Sequence, residues 1–145
     1  RDCARSTSTR LRVSVRTHQE IVMIHEQYLD CIEACNTCAA ACEHCATACL
    51  HEKDVAAMAD CIRLDRDCAD ICRFAAAWME RESEYANSLC EICAMVCNAC
   101  AAECRRHSTE HCQACADACR HCAEVCRKMV GGAVPEAAIS IGMTG

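Results

Sequence analysis

The sequence has very few of the residues that break helices. Its 145 residues include four glycines and one proline, and none of these occurs before Gly131. Because Gly and Pro most strongly mark turns, the preceding stretch is predicted to be helical almost throughout. A loop-rich disulfide scaffold, the usual form of a short secreted cysteine-rich chain, is therefore not expected.

Aromatic residues are also scarce, with one Phe, one Trp and two Tyr, so bulky side chains cannot fill most of a core. The formal net charge is −6 and no basic face is visible, which argues against nucleic-acid binding. No apolar run is long enough to span a bilayer, and no secretory signal is evident, so no membrane partner is expected. The Arg-rich N-terminal stretch contains no twin-Arg pair, and we expect a cytoplasmic protein.

Start and stop signals divide the chain into four helical segments. Thr17-x-x-Glu20 has the pattern of a capping box, and Gly131-Gly132 ends the fourth segment. The other segments are predicted to be capped by Asp54, Ser83 and Ser108. Short connections favour antiparallel neighbours, so the predicted fold class is all-α, an antiparallel up-down-up-down four-helix bundle with a Cys-lined core. The expected parts are a flexible N-terminal arm (1–16), the bundle (17–130) and a C-terminal tail (131–145).

All but one of the 20 cysteines follow a single helical register, and only Cys3 lies outside it. Within each segment most steps are three or four residues, the spacing of an a/d seam that faces the partner helices. On one helix such neighbours have Cβ atoms about 5–6 Å apart, too far for easy disulfide formation. The predicted metal ligands of the seam are Cys31, Cys35, Cys38, Cys42, Cys45, Cys49, Cys61, Cys68, Cys72, Cys90, Cys93, Cys97, Cys100, Cys104, Cys112, Cys115, Cys119, Cys122 and Cys126.

A buried cysteine is often only a small apolar side chain. A conventional bundle, however, would place Leu, Ile or Val on such a seam. Soft thiolates favour Cu(I), Zn(II) and iron–sulfur clusters. If each Cu(I) replaces one thiol proton, the charge of the core is unchanged, whereas zinc bound by four thiolates leaves a double negative charge. Cu(I) is preferred on this ground, a zinc or general soft-metal buffer is the alternative, and a thiol redox enzyme is less expected because no βαβ context is visible.

The repeated cysteine helices, such as CIEACNTCAAACEHCATAC and CQACADACRHCAEVC, resemble those of the bacterial copper storage protein family, in its cytosolic type, over about residues 17 to 130. The resemblance implies a non-enzymatic, Cys-lined four-helix bundle that stores many Cu(I) ions, roughly one per core cysteine, and assembles into a homotetramer. A copper chaperone or an efflux system would be a partner of such a protein, but the sequence identifies neither.

Residues that continue the register beyond the cysteines predict one closed and one open end. The closed end is apolar, with Ile21, Ile24, Tyr28, Ala75, Met79, Ala86 and Met129. The open end has polar and sulfur-bearing positions, Glu52, Asp54, Met58, His107 and Ser108, with His51 and His111 nearby. His and Met side chains can pass Cu(I) on by ligand exchange, so we predict a mouth whose ligands are His107, His111, Met58 and Asp54. Asp65 occupies a gap in the register, although Leu64 can face inward instead.

Overall fold

Four α-helices account for most of the computed structural model, which describes residues 15–132 apart from the side chain of Ile24. The predicted N-terminal arm and C-terminal tail, with Cys3, lie almost entirely outside these residues. The helices are α1 (His18–Cys49), α2 (Ala59–Glu80), α3 (Ala86–Cys104) and α4 (Glu110–Gly132), and a 3₁₀ turn, Ala56–Met58, precedes α2. Residues 15–132 contain no strand.

The helices form an antiparallel bundle. Helix α1 packs against α2 and α4, and α3 packs against the same two helices. Each connection is short, which forces consecutive helices to run in opposite directions. The predicted fold class, an all-α antiparallel four-helix bundle, is confirmed.

Helix α1 starts at the predicted capping box. The Glu20 amide donates to Oγ1 of Thr17 at 3.3 Å, and the Thr17 amide donates to Oε2 of Glu20 at 2.7 Å. At 32 residues α1 is longer than the other three helices, of which the longest has 23. The nine-residue difference corresponds to about 14 Å of helix. Ile21 lies in the first turn of α1 and is 41% exposed, so its predicted place in the closed end is wrong.

The other helices begin a few residues after their predicted caps. Asp54 accepts the Ala57 amide at 3.1 Å and so caps the 3₁₀ turn, whereas α2 itself begins at Ala59. Ser83 accepts the Tyr85 amide at 3.3 Å, in the turn before α3. Helix α4 begins at Glu110. Asp54 and Ser83 each accept a hydrogen bond in a turn that leads into the helix, and all three predicted boundaries are slightly early.

The turn between α2 and α3 is made without glycine. The Ser83 amide donates to the Trp78 carbonyl at 2.9 Å, and the Glu82 amide donates to the Met79 carbonyl at 3.0 Å. This pair of bonds is a Schellman motif, which places Glu82 in the left-handed region at a φ of 52°. A non-Gly residue there is strained, and the packing of α2 against α3 must hold it.

The core is made of small side chains and sulfur. Among the described residues, every buried hydrophobic side chain belongs to Cys, Ala or Met, and the one buried charged residue is Asp65. Alanines flank the cysteine seam, as Ala39, Ala69, Ala94 and Ala116 illustrate. Their small volume lets the helices approach until thiols from all four meet on the bundle axis. Larger apolar residues, such as Ile32 and Val125, only partly cover the outside of this core.

Candidate metal centre

The buried cysteines stack in layers of four side chains, with one side chain from each helix. We call the whole stack, with its nineteen described cysteines, the sulfur column. From the closed end near Tyr28 to the open end near His111, the five layers are Cys31/Met79/Cys90/Cys126, Cys35/Cys72/Cys93/Cys122, Cys38/Cys68/Cys97/Cys119, Cys42/Asp65/Cys100/Cys115 and Cys45/Cys61/Cys104/Cys112, with Cys49 beyond the fifth. Because the helices are antiparallel, residue numbers increase from the first layer to the fifth in α1 and α3 and decrease in α2 and α4.

The sulfur atoms form an unbroken path along the bundle. Within the third layer, Cys38 lies 3.8 Å from Cys68 and 3.6 Å from Cys119, Sγ to Sγ. Between layers, Cys35 and Cys126 are 3.8 Å apart, and Cys42 lies 3.5 Å from Cys119. The shortest separation, 3.4 Å between Cys31 and Cys126, is far longer than a disulfide bond, and the nineteen described cysteines are free thiols.

These separations suit a soft metal ion held by two sulfurs. Metal–sulfur bonds to such ions are about 2.3 Å long, so two of them span up to about 4.6 Å. Neighbouring thiols in the column lie between 3.4 Å and 4.0 Å apart. An ion can therefore join adjacent sulfurs with little movement of the helices. Several sets of four cysteines also have all their sulfurs within 4.8 Å of one another, such as those of the second layer.

Burial disfavours the ionised form of the thiols in the metal-free column. Burial raises the pKa of Cys49, and the neighbouring thiols of Cys61 and Cys112 raise it further. At the other end, the thiols of Cys126 and Cys31, together with burial, raise the pKa of Cys90. No cationic side chain is buried among the described residues. Ionising a thiol here is costly until a cation replaces its proton.

Asp65 is the only carboxyl group within the column. It is completely buried, and its Oδ1 accepts from Cys100 at 3.2 Å, from Cys115 at 3.3 Å and from Cys104 at 3.5 Å. Burial raises the pKa of Asp65 to about 10, and Cys115 and Cys100 add to this effect. The sequence left open whether Asp65 or Leu64 faces inward, and the structure assigns Asp65 to the fourth layer.

His111 is the histidine that contacts the sulfur column. Its Nδ1 lies 3.5 Å from the sulfurs of Cys45 and Cys112 and 3.9 Å from that of Cys49. Its Nε2 lies 2.8 Å from Oε1 of Glu52. Because a carboxylate can only accept, Nε2 carries a hydrogen, and in the neutral ring the lone pair of Nδ1 then points to the thiols. The contact with Glu52 therefore holds the His111 ring with Nδ1 facing the sulfurs of Cys45, Cys49 and Cys112.

The other predicted mouth residues lie around His111 in different environments. His107 is 16% exposed, and its Nε2 is 3.1 Å from Oε1 of Glu103. Met58 is 5% exposed and belongs to the core cluster. Asp54 is exposed and its carboxylate accepts the Ala57 amide, so its observed role is to cap a turn. Glu52 and Glu103, which hold the two histidines, were not among the ligands predicted from the sequence.

The part of the chain that contains the sulfur column matches a known protein family. Residues 24–131 match the profile of a family described as copper storage protein. The chain belongs to the copper storage protein family. The matched range contains the complete sulfur column and the mouth. Both therefore belong to the part of the chain that the family shares.

Solved structures of this family have the same fold. The chain is 49% identical to the Cu(I)-bound copper storage protein BsCsp3 of Bacillus, with a TM-score of 0.70, covering 72% of this chain and 98% of that one. It is 44% identical to a cytosolic copper storage protein from Streptomyces lividans solved with five coppers, with a TM-score of 0.73, covering 77% of this chain and 98% of that one.

An uncharacterized cysteine-rich protein of Bacillus subtilis, YhjQ, is 51% identical over 70 residues. The matched stretch covers 48% of this chain and 65% of that protein, slightly less than two thirds of its length. Within residues 15–132 of this copper storage protein, no helix is both long enough and apolar enough to cross a membrane.

Proposed function

We propose that this member of the copper storage protein family holds many Cu(I) ions along its sulfur column, with the nineteen column cysteines as ligands and roughly one ion per cysteine. The observation that carries the proposal is the unbroken series of buried free thiols at separations of 3.4–4.0 Å. Each thiolate can bridge two ions and each ion can bind two thiolates. A filled column then has equal numbers of metal ions and sulfurs.

Charge favours Cu(I) over zinc in this core. Each Cu⁺ that displaces a thiol proton leaves the buried charge unchanged. A zinc ion bound by four thiolates carries a double negative charge, and the described core offers no cation to balance it. The sets of four cysteines can surround a tetrahedral ion, which is why a zinc or general soft-metal buffer is the second candidate.

Titration of the reduced, metal-free protein with Cu(I) under nitrogen, against a competing chelator, tests the proposal. We expect uptake to continue until about one ion is bound per column cysteine, and zinc to be displaced when both metals are offered. Saturation at one or two Cu(I) ions, or retention of zinc in the presence of Cu(I), would contradict Cu(I) storage. Sustained turnover of a disulfide substrate would instead support a thiol redox enzyme, a role that we do not expect.

We propose that copper enters through the mouth formed by His107, His111, Met58 and Asp54. The lone pair of the His111 Nδ1 faces Cys45, Cys49 and Cys112, which makes it the best placed of the four to hand an ion to the column. His107 is the more peripheral donor. At the opposite end, Ala75, Ala86 and Met79 are buried and offer no comparable polar opening.

Replacing both histidines, His107→Ala with His111→Ala, is expected to slow Cu(I) uptake at least about tenfold while leaving the final capacity nearly unchanged. The reason is that the column cysteines remain but the donors at its opening are lost. Stopped-flow mixing with a coloured Cu(I)–chelator complex measures the rate, and His44→Ala, which removes an exposed histidine on α1, is the matched control. An unchanged uptake rate would argue against the mouth.

Three further expectations stay proposals. Assembly into a homotetramer is implied by the family resemblance, and exposed apolar side chains such as Phe74, Ile92 and Met95 offer surface for it; sedimentation of the purified protein measures the assembly. The description of the Streptomyces lividans relative as cytosolic supports a cytoplasmic location, which cell fractionation tests. Exchange of copper with a chaperone or an efflux system is tested by transfer assays with candidate donors.

A further inference from the structure

The first layer of the column contains a sulfur that is not a thiol. Helix α2 supplies a cysteine to the second, third and fifth layers, but it supplies Met79 to the first. Met79 is completely buried. The Cys90 thiol donates to its Sδ at 3.7 Å, while Cys31 and Cys126 in the same layer lie 3.4 Å apart. The closed end therefore has four sulfurs, of which one is a thioether.

We propose that Met79 and Cys90 together hold a terminal Cu(I) ion at the closed end of the sulfur column, with the Met79 thioether as a metal ligand. This inference rests on the proposed storage of Cu(I). It assigns a ligand role to a residue that the register alone makes part of an apolar plug, and it extends the metal-binding column by one sulfur.

The two sulfurs lie close enough for one ion to join them after they move slightly apart. The 3.7 Å separation between the Cys90 Sγ and the Met79 Sδ falls among the thiol–thiol separations of the column. It is shorter than the span of about 4.6 Å that two metal–sulfur bonds can bridge. The lone pair of Sδ that now accepts the S–H hydrogen bond of Cys90 is the one that would bind the ion. On loading, Cu⁺ replaces the proton on Cys90, which leaves as H⁺, and the sulfur of Met79 completes the coordination.

Charge explains why a thioether suits this position. Inside the column a thiolate can bridge two ions, so metal and sulfur charges balance. At the end of the column, the last ion needs a second sulfur. That sulfur binds only this one ion, because no further ion lies beyond it. A thiolate there would leave an uncompensated negative charge in a dry environment, which is costly. A neutral soft donor such as Met79 completes the coordination without adding charge.

Methionine often fills gaps in cores without any chemical role, so the test must detect the metal–thioether bond itself. Of the six methionines in the chain, Met58 and Met79 are the two buried ones among the described residues. Met58 lies in the mouth and has its own proposed copper contact. Met58→Leu therefore serves as the background in which a signal from Met79 is measured. Leucine nearly conserves the volume of methionine, so both positions are expected to tolerate the change.

The experiment labels the Met58→Leu protein and the Met58→Leu/Met79→Leu protein with selenomethionine. Both are loaded to saturation with Cu(I), washed with a chelator and studied by X-ray absorption at the selenium edge. We expect a copper neighbour at bonding distance from selenium in the first protein and its loss in the second. We also expect Met79→Leu alone to bind about one Cu(I) ion fewer than the unsubstituted protein.

Three outcomes separate this inference from the storage proposal. Absence of a selenium–copper contact in the loaded Met58→Leu protein, with sulfur–copper contacts present at the copper edge, overturns the role of Met79 and leaves storage intact. A contact that persists undiminished in the double variant assigns it to another methionine and also overturns that role. Failure of the unsubstituted protein to take up multiple Cu(I) ions contradicts the storage proposal itself.

Discussion

Loading the protein with Cu(I) is expected to raise its midpoint of thermal unfolding by at least about 25 °C. A ligand that binds only the folded state stabilises it by about 2.7 kcal/mol when present at a hundred times its dissociation constant. Five ions bound under such conditions would add about 13 kcal/mol, as much as the whole stability of an ordinary domain. For a chain of this size, each kcal/mol raises the midpoint by about 2–4 °C.

The gain should come without a change of fold. Neutral thiols pack as small apolar groups, and the column is already assembled with Cys38, Cys68 and Cys119 in contact. Circular dichroism should therefore show the same helix content before and after loading, unlike a zinc finger, which folds only with metal. Removal of copper by a chelator is the control and should restore the lower midpoint. A metal-free protein that is mostly unfolded would contradict the preformed column.

The layers of the column follow from the sequence because of its spacing. A three-four alternation keeps each cysteine on the seam of its helix, and antiparallel neighbours with short connections leave one way to stack the seams. The register alone thus places Cys42, Cys100 and Cys115 opposite one another. It could not decide between Leu64 and Asp65, because steps of three and of four both fit the spacing from Cys61 to Cys68. Packing decides, since the fourth layer needs a residue from α2 that meets the other three.

The helical register does not predict where residues at or beyond the end of a helix lie. His107 continues the spacing of α3 in the sequence, but α3 ends at Cys104, so the helical register no longer fixes where His107 lies. His111 is out of register with the cysteines of α4, yet it stands in the first turn of that helix and faces Cys45 and Cys112. Likewise, periodicity could not show that α1 is longer than the other helices and that Ile21, in its first turn, is exposed.

Asp65 makes the metal-free bundle sensitive to pH. Burial raises its pKa to about 10, from 3.8 in an exposed aspartate. Between these values the folded protein keeps a proton on Asp65 that the unfolded chain has released. The contribution of Asp65 to the free energy of unfolding is therefore most favourable below about pH 4. It becomes less favourable as the pH rises toward 10. The expected slope is about 1.4 kcal/mol per pH unit.

Replacing Asp65 with Asn is expected to remove this slope, because an amide keeps the acceptor for the Cys100 thiol but does not titrate. From pH 5.5 to 7.5, below the range in which unfolded thiols ionise, the free energy of unfolding of Asp65→Asn should rise by about 3 kcal/mol relative to that of the unsubstituted protein. Urea unfolding of both reduced, metal-free proteins measures the difference. Asp67→Asn, on the same helix but with its side chain 62% exposed, is the matched control and should leave the slope unchanged. Parallel pH profiles for Asp65→Asn and the unsubstituted protein would mean that Asp65 is ionised in the folded core. Its thiol contacts with Cys100 and Cys115 would then have to supply more stabilisation than burial removes.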